Sequence, residues 1–207
     1  MAHTTPPVKD SEKTDKKTSS GTNRSVMLLL AGFTALAIVA IAALAVFSTT
    51  TTGGDAAGNF TANDEGLIPV GEKAPSFTAE TVGGGTVSVR EGAAPATMLV
   101  FFATWCPHCQ NEAPILSELE GQYEDLRMVM VGIDGEDNPE KVQQFVERYG
   151  IESPAVYEPS LGPEYGVSGY PTTYVLNRSY EVVGAHSGEA PREVYEGWIE
   201  EALGAGG

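Results

Sequence analysis

The sequence predicts an α/β domain of three layers built on a mixed central sheet, and three observations carry this. Residues 97–103 and 127–133 are near-continuous apolar runs of strand length, the pattern of strands buried on both faces. Each is followed by a segment with apolar residues at helical spacing, so strand and helix alternate along the chain. Later, residues 172–176 and 181–187 read as two strands joined across Asn177-Arg178-Ser179-Tyr180, which adds antiparallel pairing.

The elements follow in order. Residues 1–25 are Lys, Thr, Ser and Pro with almost no large apolar side chain, a composition that cannot bury enough surface to order itself. Residues 26–47 carry no charge, and as a helix they reach roughly 33 Å, enough to cross the bilayer hydrocarbon. Ala43-Leu44-Ala45 resembles a small-x-small cleavage site, but cleaved signal peptides have shorter apolar runs, about 7 to 15 residues. The reading is therefore a single uncleaved transmembrane anchor, and no cysteine follows the run as a lipoprotein needs. Lys9, Lys13, Lys16, Lys17 and Arg24 outnumber Asp10, Glu12 and Asp15 before it, which keeps the N-terminus cytoplasmic and puts everything after Phe47 outside the cell membrane. Residues 48–66 open on Thr, Gly and Ala and read as a flexible tether. Residues 67–207 form the extracytoplasmic domain.

Within that domain, residues 77–82 and 86–90 flank Gly83-Gly84-Gly85 and predict an N-terminal β-hairpin. The buried strand 97–103 leads into a helix over 107–123, with Ile115, Leu116 and Leu119 on one side and Pro114 expected to kink it. Strand 127–133 leads into a helix over 139–149, whose Pro139 suits a first turn. A short apolar piece at 155–157, a helical turn at 161–165, the late hairpin and a closing helix over 191–203 complete the domain. The formal charge is −16 and the acid lies beyond the anchor. Such a surface disfavours nucleic acid and anionic lipid headgroups and suits the solubility of a tethered domain.

Cys106 and Cys109 are the two cysteines of the chain, in Trp105-Cys106-Pro107-His108-Cys109. A disulfide closing so small a loop removes only about 2 kcal/mol of unfolded-chain entropy, so stapling is a poor reason for the pair. An extracytoplasmic compartment permits the disulfide, and a strand-to-helix junction suits cycling between dithiol and disulfide. Amides at a helix N-terminus stabilise a thiolate at Cys106, and His108 adds positive charge. A metal half-site falls short, since a tetrahedral zinc centre needs about four ligands and the remaining candidates are His3, His108 and His186. Neither a cofactor nor a metal is expected.

The Trp-Cys-x-x-Cys segment after an apolar strand, with Gly169-Tyr170-Pro171-Thr172 some distance on, resembles the thioredoxin superfamily. Gly71-Glu72-Lys73-Ala74-Pro75-Ser76-Phe77 at the domain opening, similar to that of peroxiredoxins, and Glu112-Ala113-Pro114 resemble its TlpA/ResA branch of membrane-anchored thiol-disulfide oxidoreductases. The resemblance covers residues 68–204 and implies a thioredoxin-like three-layer α/β/α fold. Cys106 and Pro171 lie 65 positions apart, too far for a minimal thioredoxin core and too near for the large helical insert of the DsbA oxidases. The extra length fits one inserted strand-helix unit over 134–159.

By that resemblance Cys106 attacks a substrate disulfide and Cys109 resolves the mixed disulfide. Pro171 is implied to be a cis-proline facing the dithiol, leaving the backbone of Tyr170 to pair with an extended substrate, while Trp105 shapes the contact surface. The aspartate that thioredoxins bury six residues before the first cysteine is replaced by Val100, and Glu112 is expected to take over proton handling. Three functions follow. The first is a protein disulfide reductase acting on exported proteins with cysteine pairs, such as apocytochrome c in cytochrome c-type biogenesis, supplied with electrons by a membrane thiol-disulfide partner. The second, favoured by Pro107-His108, is a DsbA-like disulfide-forming oxidase. The third is a copper-delivering thiol module, although related copper chaperones space their cysteines by three and add a distal histidine. A peroxidase is disfavoured because Ala103 stands where peroxiredoxins carry threonine.

Overall fold

Strand β3, Ala96–Phe102, is buried along its whole length, which the apolar run demands and a central position provides. The computed structural model describes residues 66–204. The predicted tail at 1–25, the anchor at 26–47 and the tether up to residue 65 lie outside the described residues. Among the described residues no helix is long and apolar enough to cross a membrane.

The main sheet has five strands in the order β5-β4-β3-β6-β7. β4, Leu126–Gly132, runs parallel to β3 from Ala96 opposite Leu126 to Phe102 opposite Gly132. β5, Ala155–Tyr157, continues the parallel side, while β6, Thr172–Asn177, and β7, Val182–Ser187, pair antiparallel on the other. The sheet is therefore mixed, as the pattern of runs predicts. Residues 134–159, expected to form an inserted strand-helix unit, carry a helix and then a strand, with β5 at the sheet edge.

Alternation along β3 divides the core. Met98, Val100 and Phe102 face one way and meet three helices, α1 (Pro107–Gln122), α2 (Pro139–Tyr149) and α4 (Arg192–Gly204). Leu116, Phe145 and Ile199 are among the side chains they bury, each contributing about 1.5–3 kcal/mol by leaving water. Gly184 of β7 is required by this layer, because a Cβ there would stand 2.1 Å from the Trp198 ring. α1 runs through Pro114 as one helix. α2 begins on Asn138, whose side chain accepts the Lys141 amide at 2.9 Å, and ends at Gly150 with φ 67°.

Leu99 and Phe101 face the other way. Three layers are present, but this outer layer differs from the helical one that the α/β/α expectation implies. It consists of the hairpin β1 (Phe77–Glu80) and β2 (Thr86–Val89), the single turn α3 (Leu161–Glu164), and the opening segment. Tyr165 stacks 4.9 Å from Phe101 and 5.6 Å from Tyr174, whose hydroxyl donates to the Tyr165 carbonyl at 2.6 Å. Tyr165 and Tyr174 are both fully buried in this layer. The opening segment runs along the start of β7, with Gly71 N–H on Val182 O at 2.8 Å and Ala74 N–H on Tyr180 O at 3.0 Å.

Candidate active site

The turn from β3 into α1 is fastened on both sides. Thr104 donates its amide to Asp137 Oδ2 at 2.8 Å and its hydroxyl to Asp137 Oδ1, while Gln110 Nε2 donates to the Thr104 carbonyl at 2.9 Å. Cys106 is the N-cap residue in extended conformation, Pro107 takes the first helical position, where no amide is needed, and no side chain caps this end of α1. Cys106 and Cys109 are free thiols, 5% and 3% exposed. The Cys106 thiol donates to the Tyr170 carbonyl at 3.6 Å, and the Tyr170-Pro171 bond is cis. Pro171 is held from behind by the Gly188 amide at 2.7 Å, in a loop that bends at φ 114°.

Glu112 lies one turn beyond Cys109 and is 2% exposed. The Tyr195 hydroxyl of α4 donates to its Oε1, and Oε2 has no hydrogen-bond partner among the described residues. Burial pushes the carboxyl up to about 7, opposed by Tyr195 and the Ala190 amide and reinforced by Glu189. Burial also pushes the Cys109 thiol up, with Cys106 and the negative charge of Glu112 adding to it.

Above the sulfurs, Trp105 is half exposed and stands edge-on to Tyr170 at 6.2 Å. One carboxylate joins the two rings: Asp134 Oδ1 accepts the Trp105 indole N–H at 3.0 Å and Oδ2 accepts the Tyr170 hydroxyl at 3.3 Å. The Trp105 hydrogen bond is the first reason this carboxyl is held below its ordinary value. His108 is exposed, with Nδ1 2.6 Å from Glu189 Oε1, an oxygen that also takes Asn111 Nδ2 at 3.0 Å. The positive charge expected of His108 thus meets a counter-charge, and His108 in turn holds the Glu189 carboxyl below its usual range.

The structure therefore brings Trp105, Cys106, Pro107, His108, Cys109, Glu112, Tyr170 and Pro171 to one end of the sheet. It adds Asp134, Glu189 and Tyr195, which sequence reasoning missed. Asp134 had a usable signal, being an acid just past the carboxyl end of a buried strand, the end of an α/β sheet where sites form. Glu189 and Tyr195 lie 81 and 83 positions from the groups they bond and carry no local signal.

A family model, AhpC/TSA, matches residues 70–185. Thiol-disulfide oxidoreductase ResA of Halalkalibacterium halodurans is 31% identical over 139 residues, 66% of this chain and 79% of that protein. Thioredoxin-like protein YneN of Bacillus subtilis is 30% identical over 132 residues, 62% of this chain and 78% of that protein. Among solved structures, a candidate thiol:disulfide interchange protein DsbE from Chlorobium tepidum superposes with a TM-score of 0.59 at 26% identity, covering 66% of this chain and 99% of that one.

Proposed function

The chain belongs to the AhpC/TSA family and is a thiol-disulfide oxidoreductase of the ResA/DsbE kind, and on that premise we propose that it reduces disulfides in exported proteins through Cys106 and Cys109. The Cys106 thiolate attacks one sulfur of a substrate cystine, a mixed disulfide forms, and the other substrate sulfur leaves as a thiolate. Cys109 then gives its proton to Glu112 and attacks Cys106. The substrate's second sulfur departs, and two electrons have passed from the dithiol to the substrate. Restoring the dithiol takes two electrons from a membrane-bound thiol donor. The anchor at 26–47 holds the domain beside that donor, outside the cell membrane. Apocytochrome c with paired cysteines is a substrate of this class.

The observation that carries the exchange chemistry is Glu112, buried within one helical turn of Cys109 with a carboxyl at about 7. A base beneath the resolving thiol serves the step in which that thiol becomes a nucleophile, the step that completes reduction of a bound substrate. The His108 contact to Glu189 supports the same direction, because a strong oxidant needs uncompensated positive charge on its thiolate. Equilibration with glutathione tests the reading. A potential near the thioredoxin end of the range is expected, about −270 mV, and one near the DsbA value of about −120 mV overturns it in favour of an oxidase.

A further inference from the structure

We propose that Tyr195 is a positioning residue for resolution: its phenol holds Glu112 by Oε1 and leaves Oε2 as the atom that takes the Cys109 proton. This rests on the reading of Glu112 given above. Tyr195 is fully buried on α4, and Phe in its place would keep the ring's contact with Trp198 at 6.0 Å. The hydroxyl is therefore an addition to an already packed site, and it is spent on a carboxylate 83 positions away. A buried acceptor without a partner costs stability, and such groups in native proteins call for a reason. Here that group is Glu112 Oε2, on the carboxylate whose other oxygen takes this phenol's hydrogen bond.

The groups around Glu112 are Cys109 on its own helix, Cys106 at the start of that helix, Glu189 and the Ala190 amide from the loop before α4, Tyr195 from α4, and, beside the phenol, Thr173 from β6. None of these is a cation. The charged carboxylate thus depends on hydrogen-bond donors, and Tyr195 supplies the side-chain one. In the step itself the Cys109 S–H bond breaks and an O–H bond forms at Oε2. The sulfur's electron pair attacks Cys106 Sγ, the bond from Cys106 to the substrate breaks, and the substrate sulfur leaves carrying the bond's electrons. Removing the phenol withdraws a donor from the charged form. Glu112 then holds its proton to higher pH and accepts that of Cys109 less readily.

The test follows resolution alone in the full chain in detergent micelles. Dithiobis-nitrobenzoate forms a mixed disulfide at Cys106, and attack by Cys109 releases the second aromatic thiolate, whose rate is read from pH 5 to 9. In the unaltered chain the rate is expected to rise through a midpoint near that of Glu112, and Glu112→Gln removes that midpoint. Tyr195→Phe is expected to move it up by about half to one pH unit and slow resolution at pH 7 about two- to fivefold. It is expected to change nothing in the Glu112→Gln background. A Tyr195→Phe midpoint equal to that of the unaltered chain overturns the proposal, whatever happens to the melting temperature. A midpoint that survives Glu112→Gln overturns the underlying reading of Glu112 instead. A measurement that needs no folded Tyr195 variant is the infrared difference spectrum of the unaltered chain across the same pH range. A tyrosine band that titrates with the Glu112 carbonyl, both lost in Glu112→Gln, is the result expected; a carbonyl band titrating without any tyrosine band overturns the positioning role.

Discussion

The indole N–H of Trp105 donates to Asp134 Oδ1 at 3.0 Å, and the same carboxylate accepts the Tyr170 hydroxyl at 3.3 Å. The two rings are thereby joined through one carboxylate, which lies just past the end of β4. Asp134→Ala releases both rings. Each lost hydrogen bond to a charged group is worth about 1.5–3 kcal/mol where buried and less at this exposed position, so an effect of about fivefold is expected. It should fall on KM for a polypeptide disulfide such as insulin and leave the rate with a small aromatic disulfide nearly unchanged. Equal losses on both substrates would place Asp134 in the chemistry instead of the contact surface.

Glu112 gives a stability prediction with a defined sign. Its carboxyl sits at about 7 in the folded chain against an ordinary 4.5, so between those values the folded state holds a proton that the unfolded chain has lost. Stability therefore falls as pH rises through that interval and is level above it. The interval corresponds to roughly 3 kcal/mol. Urea denaturation of the reduced protein at pH 5 and pH 8, compared with Glu112→Gln, isolates the contribution. The variant is expected to gain on the unaltered chain between the two pH values, and a constant difference would show the carboxyl ionising in its usual range.

The parts of this protein that were legible in its sequence are those written in local pattern. β3 shows as an apolar run because it is buried on both faces, and the dithiol shows because its two cysteines stand at fixed spacing, whereas Glu112 is singled out only by the resemblance to the TlpA/ResA branch. The side of the sheet on which each element packs has no such signature. The hairpin and the short α3 cover the Leu99 face, while all three longer helices gather on the Met98 face. His108 illustrates the same limit: the dipeptide Pro107-His108 suggests a free positive charge, and the carboxylate that meets it arrives from the loop after β7. Tyr195 is indistinguishable in sequence from any aromatic on an apolar helix face.

Glu189 is expected to restrain the oxidising power of the dithiol. With Glu189→Gln the negative charge facing the His108 ring is removed, and the thiolate form of Cys106 is favoured accordingly. Exposed pairs of this kind are worth about 0.2–1 kcal/mol, which amounts to a shift of about 1.4- to fivefold toward the dithiol in equilibrium with glutathione. His108→Ala should cancel the shift in the double variant. A shift that persists without His108 would mean that Glu189 acts through Glu112, which it also faces.

The burial of Cys109 predicts the order of events. It is 3% exposed, and burial pushes its thiol up, with the neighbouring Cys106 and Glu112 charges adding to this. At neutral pH it therefore stays protonated and begins no exchange, since the thiolate is the reactive form. Cys106 is the residue at the helix mouth and against the Tyr170 carbonyl, where an extended substrate backbone would lie. Cys109→Ser should leave attack intact and remove resolution, so a mixed disulfide with insulin accumulates and is seen as a mass increase that thiol reductant reverses. Cys106→Ser should form none, because its remaining thiol is buried and protonated. Iodoacetamide at pH 7 should likewise label Cys106 at least tenfold ahead of Cys109. If Cys106→Ser were the variant that trapped substrate, the two sulfurs would have exchanged roles, and Glu112 would lie beneath the attacking thiol instead of the resolving one.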